Sequence, residues 1–208
     1  MAVAAALTAG CAPDPPSAIV GVVVAGCPPG REVGSGVLVR DGVVLTSAHT
    51  LRGARSIVVT AGDDEVDATI VGFDPDLDLA YLAADVGGRP LTVDGATADA
   101  GDRGRAWVVR NGEVVPIDLV VERRIELRTE DIYVEGETVR PGLELSAEVE
   151  PGDSGGAVVV GDKVVGVVWA RSRRQPGRAY AIDPDRGSVR IDDQVRTGDL
   201  GDVDLTRC

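Results

Sequence analysis

Short runs of apolar residues, broken by glycine, aspartate and proline, recur along most of the chain. Valine dominates these runs, for example at residues 18–25 and 34–40. Because β-branched side chains favour strands and no long helical period stands out, the pattern predicts β-structure. The dipeptide Asp41-Gly42 separates the apolar runs 34–40 and 43–46, and it is a strong hairpin signal.

The apolar runs fall into two groups. Residues 94–105 carry little apolar content, so we predict that they form a crossover between two halves of the fold. Besides the three runs above, the predicted strands are 56–61, 66–72 and 79–83 before the crossover, and 106–110, 113–121, 125–128, 143–147, 157–160, 163–170 and 178–182 after it. Many short strands joined by turns indicate a barrel or a sandwich. The acidic tail, residues 183–208, has no predicted element.

The composition is that of a folded protein with an acidic surface. The 208 residues suit one large β domain or two small barrels that share a cleft, and 44% hydrophobic residues argue against a disordered chain. Aromatic residues make up only 3%, so valine, leucine, isoleucine and alanine must fill the core. The net charge of −13 disfavours nucleic acid and anionic lipid as partners.

The N-terminal segment has features of an export signal. Residues 1–10 are small and apolar, too short a run to span a bilayer, and a proline-rich stretch follows Cys11. Residues 7–11 (LTAGC) resemble a bacterial lipobox, in which the cysteine becomes the lipidated first residue of the mature protein. We therefore predict a leader and linker over residues 1–16 and a membrane tether through lipidated Cys11. Plain secretion and a cytosolic leader are the alternatives.

Two further cysteines, Cys27 and Cys208, remain once Cys11 is assigned to a lipid. Exported proteins tend to pair their cysteines, so we predict a disulfide between these two. The bridge would tie the last residue to the N-terminal strand, and closing so long a loop would contribute about 4 to 5 kcal/mol at most. The alternative is two unpaired surface thiols.

The strongest chemical signal is the motif PGDSGG at residues 151–156. A serine hydroxyl becomes a nucleophile only when a base takes its proton and when donors receive the charge that forms on the substrate oxygen. Glycines on both sides of Ser154 permit a sharp turn that directs backbone amides at one point. We predict Ser154 as the nucleophile. The backbone candidates for the oxyanion hole are Gly152, Asp153 and Ser154, with the amides of Gly152 and Ser154 aimed at the oxygen.

A base and an acid are available upstream of this serine. His49, the only histidine, directly follows the predicted strand 43–46 in the sequence TSAH, and a strand end holds a base rigidly. Asp78 precedes the apolar stretch LAYL, which favours burial beside the imidazole, where a carboxylate fixes the tautomer and stabilises the imidazolium. Asp74 and Asp76 lie closer to the turn and are expected to be solvated. This chemistry needs no metal and no cofactor, and we predict neither.

These motifs resemble those of the trypsin-like (chymotrypsin-fold) serine peptidases. The order His49, Asp78, Ser154 is that of the family, and the compact separations resemble those of bacterial HtrA-type proteases. The resemblance covers about residues 19–182. It implies that His49 and Asp78 come from a first barrel and Ser154 from a second. No PDZ-like domain is expected within this sequence.

The resemblance also implies an all-β fold of two antiparallel six-stranded β-barrels, with the active site in the cleft between them. Placed on the predicted strands, the N-terminal β-barrel covers residues 17–93 and the crossover covers residues 94–105. The C-terminal β-barrel and the tail then occupy residues 106–208.

Two details of the resemblance concern individual residues. Asp153 stands where HtrA-type proteins usually carry asparagine; in trypsin-like enzymes an aspartate here often pairs with a cation, and an arginine is the expected partner. Glu148 stands at the base of the first specificity pocket, and Val168, Trp169 and Ala170 stand along its wall. An inward Glu148 would favour a basic substrate side chain, whereas an outward one would leave a small apolar pocket. The cost of burying an unpaired carboxylate slightly favours the second arrangement.

The sequence thus predicts a monomeric serine endopeptidase that acts on proteins or peptides through an acyl-enzyme. It is expected to be exported, to the cell surface or a periplasm-like space. One alternative is a catalytically silent protease fold that acts as an exported binding protein, because motifs alone do not show that the oxyanion hole forms. Another is an esterase on a different fold. That alternative is disfavoured because the serine motif lacks the strand-to-helix context of a Gly-x-Ser-x-Gly elbow.

Overall fold

The computed structural model describes residues 15–26, 30–185, 188–201 and 204–207. Cys11, Cys27 and Cys208 lie outside the described residues, so the lipid site and the disulfide stay predictions. Strands make up most of the described chain. No helix in these ranges is both long and apolar enough to cross a membrane.

The first sheet contains the first seven strands of the chain. They are β1 (Ile19–Gly26), β2 (Arg31–Arg40), β3 (Val43–Ser47), β4 (Ala54–Ala61), β5 (Asp64–Asp67), β6 (Thr69–Asp74) and β7 (Leu79–Ala83). Their order across the sheet is β5-β4-β1-β2-β3-β7-β6, and every neighbouring pair is antiparallel. The edge strands β5 and β6 are separated only by Ala68, whose N–H donates to Ile57 O at 2.9 Å. They are successive parts of one bent segment, predicted as the single strand 66–72, and the sheet therefore closes into a barrel.

The second sheet contains the remaining strands. They are β8 (Thr92–Val93), β9 (Arg103–Arg110), β10 (Glu113–Glu130), β11 (Glu137–Ser146), β12 (Ala157–Val160), β13 (Lys163–Arg171) and β14 (Arg178–Ile182). Their order is β12-β9-β10-β11-β14-β13-β8, and an additional pairing of β12 with β13 closes six of them into an antiparallel ring. The short β8 adds a parallel edge beside β13. The predicted double-barrel architecture is confirmed.

Three features differ from the predicted elements. The strands predicted at 113–121 and 125–128 are one strand, β10, which continues through a register shift between Val121 and Arg123. The chain joins the second sheet at β8, slightly before the predicted boundary. The tail contains a helix, α1 (Ser188–Thr197), which the sequence pattern did not predict. It packs against β6 of the first barrel, where Gln194 Oε1 accepts a hydrogen bond from the Phe73 N–H at 2.9 Å. Part of the tail therefore belongs in space to the first barrel.

The two barrels meet along β2 and β9, through a serine that is fully buried. Ser35 accepts a hydrogen bond on its Oγ from the Val109 N–H at 2.8 Å. Its own N–H donates to Ser154 O at 2.7 Å. The first barrel thus holds the backbone of the predicted nucleophile directly, and this contact brings the residues of the two barrels to one cleft.

Candidate active site

His49 and Asp78 meet because their strands are neighbours. β3 pairs with β7 in a register that places Ser47 opposite Leu79, so the residues just beyond these strand ends face each other. His49 lies in a single 3-10 turn, Ala48–Leu51, directly after β3. Asp78 has a left-handed backbone, φ +61°, a region that aspartate tolerates better than most residues and that is common at functional sites. The sharp turn directs its carboxylate toward the histidine.

The Asp78 carboxylate fixes the orientation of the imidazole. Oδ1 accepts a hydrogen bond from the His49 backbone N–H at 2.7 Å, and Oδ2 lies 2.8 Å from Nδ1. Since an ionised carboxylate can only accept, Nδ1 must carry a proton, which leaves Nε2 of the neutral ring as a base. Asp78 is only 1% exposed.

Several charges set the protonation of His49. Burial of the ring disfavours the imidazolium, but the charge and hydrogen bond of Asp78 outweigh it, and the charge of Glu32 adds to them. The charge of Arg140 acts in the opposite direction. The net result is a His49 pKa above the usual histidine value of 6.5. The ring therefore gains a proton more readily than a free histidine, as suits a base that must accept one.

Ser154 lies in a loop that is hydrogen-bonded on both sides. The Gly155 N–H donates to Val168 O at 2.9 Å, and the Gly156 N–H donates to Asp153 O at 3.0 Å. Gly155 has a φ of +84°, and a Cβ there would lie 2.0 Å from Ser35 O, so only glycine fits. Ser154 and His49 line one cavity of about 390 Å³. Within the described residues, the Ser154 and His49 side chains share no hydrogen bond. Catalytic hydrogen bonds are often long or poorly aligned in unliganded sites, and they tighten when substrate binds.

The backbone around Ser154 offers two free amides. Within the described chain, the N–H groups of Gly152 and Ser154 have no hydrogen-bond acceptor. Gly152 has a φ of +98°, which a larger residue would adopt only with strain. The prediction of Asp153 as a third donor is wrong, because its N–H donates to Glu150 O at 3.1 Å and is not available to a substrate.

Asp153 is buried and is paired with an arginine, the type of partner that was predicted. Arg110 Nε donates to Oδ1 at 2.9 Å and Nη2 donates to Oδ2 at 2.7 Å, a bidentate arrangement. The Glu150 N–H also donates to Oδ2, at 2.7 Å. These contacts raise the pKa of Arg110, chiefly through its hydrogen bonds to Asp153. They hold the loop that carries Gly152 and Ser154.

The sequence profile of the trypsin-like peptidase domain matches residues 34–167, which include His49, Asp78 and Ser154. The chain belongs to this family. Serine protease Rv3671c of Mycobacterium tuberculosis is 33% identical over 142 residues, which are 65% of this chain and 35% of that protein. A probable periplasmic, DegP-like serine endoprotease of Halomonas elongata is 30% identical over 187 residues, 82% of this chain and 38% of that protein. The trypsin-like chain thus spans about a third of the length of these relatives.

Solved structures show the same fold for this peptidase domain. The crystal structure of the active form of the Rv3671c protease from M. tuberculosis superposes with a TM-score of 0.83 at 24% identity, covering 92% of this chain and 86% of that one. The HtrA-type protease AlgW with a tripeptide superposes with a TM-score of 0.73 at 23% identity, covering 88% and 61%. The double barrel of this chain is therefore that of known HtrA-type proteases.

A second cavity, of about 310 Å³, opens beside Ser154. Val168, Trp169 and Ala170, the predicted wall residues, all line it. Its other lining residues are Val149, Glu150, Pro151, Ser154, Arg171 and Arg173. The lining therefore combines apolar side chains with one glutamate and two arginines.

Glu148, the candidate for the base of this pocket, does not line the cavity, and its orientation is the outward one that the sequence slightly favoured. Ala147 and Val149 are buried, whereas Glu148 between them is exposed, so its side chain points away from the cavity. Its Oε1 lies beside Gly177, where an added Cβ would come within 3.2 Å of it. Of the two orientations that the sequence left open, the outward one is found.

Three contributions to the site had no signal in the sequence. Arg110 is the last residue of β9, 43 positions before its partner Asp153, and Arg140 lies in β11, 64 positions after its partner Asp76. The indole of Trp169 was predicted only as a pocket wall, but its Nε1–H donates to Asp78 Oδ2 at 2.8 Å. Only the folded chain brings these side chains together.

Proposed function

We propose that this chain is a serine endopeptidase with Ser154 as nucleophile, His49 as general base and Asp78 as the orienting acid. The observation that carries the proposal is the His49–Asp78 pair, whose Nδ1–Oδ2 distance is 2.8 Å. The pair lies beside Ser154, where the N–H groups of Gly152 and Ser154 are free within the described chain. The silent binding protein is the less favoured alternative, because binding alone needs neither a fixed tautomer nor free amides.

The proposed reaction passes through an acyl-enzyme. Ser154 Oγ attacks the peptide carbonyl carbon while His49 Nε2 takes its proton, and the Gly152 and Ser154 amides stabilise the oxyanion. The imidazolium then gives its proton to the leaving amine as the C–N bond breaks. A water molecule, deprotonated by His49, attacks the ester, and return of the proton to Ser154 Oγ releases the acid product.

The direct test of this activity is hydrolysis of a mixed peptide library with mass-spectrometric identification of new termini. We expect cleavage within chains, abolished by a serine-directed covalent inhibitor. Peptides that bind the folded protein but stay intact would instead support the binding-protein alternative.

The same library tests a proposal about substrate preference. Arg171 and Arg173 are exposed at the cavity, and within the described chain they form no ion pair. We expect cleavage after small apolar residues, with an acidic residue nearby on the same side of the cut. Arg171→Glu/Arg173→Glu should reduce that acidic preference by about threefold to tenfold, the range for exposed charges. Arg55→Glu/Arg89→Glu, the same charge change at two exposed positions that do not line the cavity, is the control, and a preference unchanged in Arg171→Glu/Arg173→Glu would exclude this role.

The activity should depend on pH through His49. The base must be neutral, and its pKa is raised above 6.5, so kcat/KM should fall as the pH drops through that raised value. Glu32→Gln removes a negative charge that raises the pKa, so the acid limb of the pH–rate profile should move to lower pH. The exposed Glu126→Gln variant on β10 serves as the control. A limb that stays in place or moves upward in Glu32→Gln would contradict this assignment.

We also propose that the protein is exported, as the N-terminal residues 1–16 indicate and as its similarity to the probable periplasmic endoprotease of Halomonas elongata supports. Lipidation of Cys11 and the Cys27–Cys208 bridge belong to this proposal. Cell fractionation with a mass-based thiol count tests it; a cytosolic protein with free thiols would contradict it.

A further inference from the structure

The carboxylate of Asp78 is held from the opposite barrel. Asp78 belongs to the turn between β6 and β7, whereas Trp169 belongs to β13 of the second barrel. The Trp169 Nε1–H donates to Asp78 Oδ2 at 2.8 Å, the same oxygen that receives the His49 Nδ1–H. With the His49 N–H on Oδ1, the carboxylate accepts three hydrogen bonds.

Arg140 holds the turn and the indole from the other side. Its side chain is only 1% exposed, and its guanidinium carbon lies 5.6 Å from the centroid of the Trp169 ring, within the range of a cation–π contact. Its Nε donates to Asp76 O at 2.7 Å and its Nη2 donates to Pro75 O at 3.3 Å. Arg140 therefore fastens the turn that carries Asp78 while it covers the indole that binds Asp78.

This arrangement differs from ordinary packing because it depends on the charge of Arg140 and on the direction of the Trp169 Nε1–H donor. A cation over the indole face draws electron density from the ring, which makes Nε1–H a stronger donor. Burial lowers the pKa of Arg140, since water is excluded, while the nearby carboxylates of Asp78 and Asp76 support its charge. Arg140 Nη1 also donates to Glu130 O of β10 at 3.3 Å, and a buried cation whose partners are backbone carbonyls is a costly feature for a protein to keep without a role.

We propose that Trp169 and Arg140 form a positioning relay, in which Arg140 orients the indole and the indole orients the carboxylate of Asp78 and moderates its pull on the His49 proton. The proposal deepens the peptidase function above and rests on it for the catalytic consequence. Trp169 also lines the cavity beside Ser154, so a substrate side chain packed there would contact the same ring that orients Asp78.

The charges that face His49 determine the direction in which its pKa should change when the relay is removed. They are Asp78 from the β6–β7 turn, Glu32 from β2 and Arg140 from β11. Removing the indole donor leaves more negative charge on Asp78 Oδ2, and removing Arg140 deletes a charge that opposes protonation of His49. Both changes should raise the pKa of His49.

The single histidine of the chain makes the test direct, because one imidazole signal titrates in the NMR spectrum of the full-length protein. We expect Trp169→Phe to raise the His49 pKa and to lower kcat about tenfold, the effect of losing one hydrogen bond to a charged group. Trp107→Phe, the same change at the other tryptophan, which is buried in β9, should leave the His49 pKa unchanged.

Arg140→Gln is a second test of the relay, because glutamine keeps amide donors but removes the charge. We expect a higher His49 pKa and a lower kcat with little change in KM, because Arg140 does not line the cavity beside Ser154. If Arg140→Gln does not fold, Trp169→Phe decides alone. A His49 pKa that is unchanged or lowered in Trp169→Phe overturns the relay, whatever the activity. If the variants show the expected shifts of the His49 pKa but the wild-type protein cleaves nothing, the peptidase function is overturned and the relay stands.

Discussion

Ser154→Ala should lower kcat/KM by about ten-thousandfold to a millionfold, the range seen when a nucleophile that acts with a base is removed. Without the Ser154 hydroxyl the ester cannot form on this residue, so the remaining rate would come from the Gly152 and Ser154 amides and from substrate binding. The Ser154 backbone still bonds to Ser35, and within the described chain its hydroxyl makes no hydrogen bond. The thermal unfolding temperature should therefore stay close to that of the wild type.

His49→Ala is the matched variant for this measurement. Because nucleophile and base act as a unit, the double variant Ser154→Ala/His49→Ala should be little slower than either single variant. Steady-state hydrolysis of one cleaved library peptide gives all four rates. A Ser154→Ala protein that keeps more than a tenth of the wild-type rate would exclude Ser154 as nucleophile.

Arg110→Met should cause the second largest loss. Asp153 is 1% exposed, and without Arg110 its charge stays buried with only backbone donors, at a cost of about 3 kcal/mol in the free energy of unfolding. The loop that carries the Gly152 and Ser154 amides would relax, and loss of one aligned oxyanion donor lowers kcat about a hundredfold to a thousandfold. Chemical denaturation and kcat measure the two effects.

The double variant Arg110→Met/Asp153→Asn tests whether the loss of stability comes from the unpaired charge of Asp153 or from the missing arginine side chain. An asparagine amide needs no cation, and its oxygen can still accept from the Glu150 N–H. We expect most of the lost stability to return in the double variant. If Arg110→Met alone is as stable and as active as the wild type, the pair does not hold the loop.

Much of the fold could be predicted because local pattern and tertiary packing agree. The valine-rich runs of β1 and β2, and the Asp41-Gly42 turn after β2, specify strands and a hairpin within a few residues. Predictions failed where distant contacts decide. Strand β10 runs through the polar stretch around Arg123 because β11 pairs with it from Val120 to Glu130, and helix α1 is set by its packing on β6.

The candidate site divides in the same way. His49, Asp78 and Ser154 each stand in a short motif, so sequence alone brings them to notice. Arg110 and Arg140 carry no motif, since an arginine that pairs with a residue far along the chain looks like any surface arginine in a list of residues. Glu148 shows the reverse: a position suggested by resemblance alone is overruled by the burial of its two neighbours, Ala147 and Val149.

Covalent labelling tests most directly whether Ser154 is an activated nucleophile. The folded protein is treated with a fluorophosphonate probe, and the modified peptide is identified by mass spectrometry. We expect one probe per chain, on the peptide that contains Ser154, with none in Ser154→Ala and far slower labelling in His49→Ala. A folded wild-type protein that stays unlabelled, or that is labelled equally in Ser154→Ala, would contradict this role of Ser154.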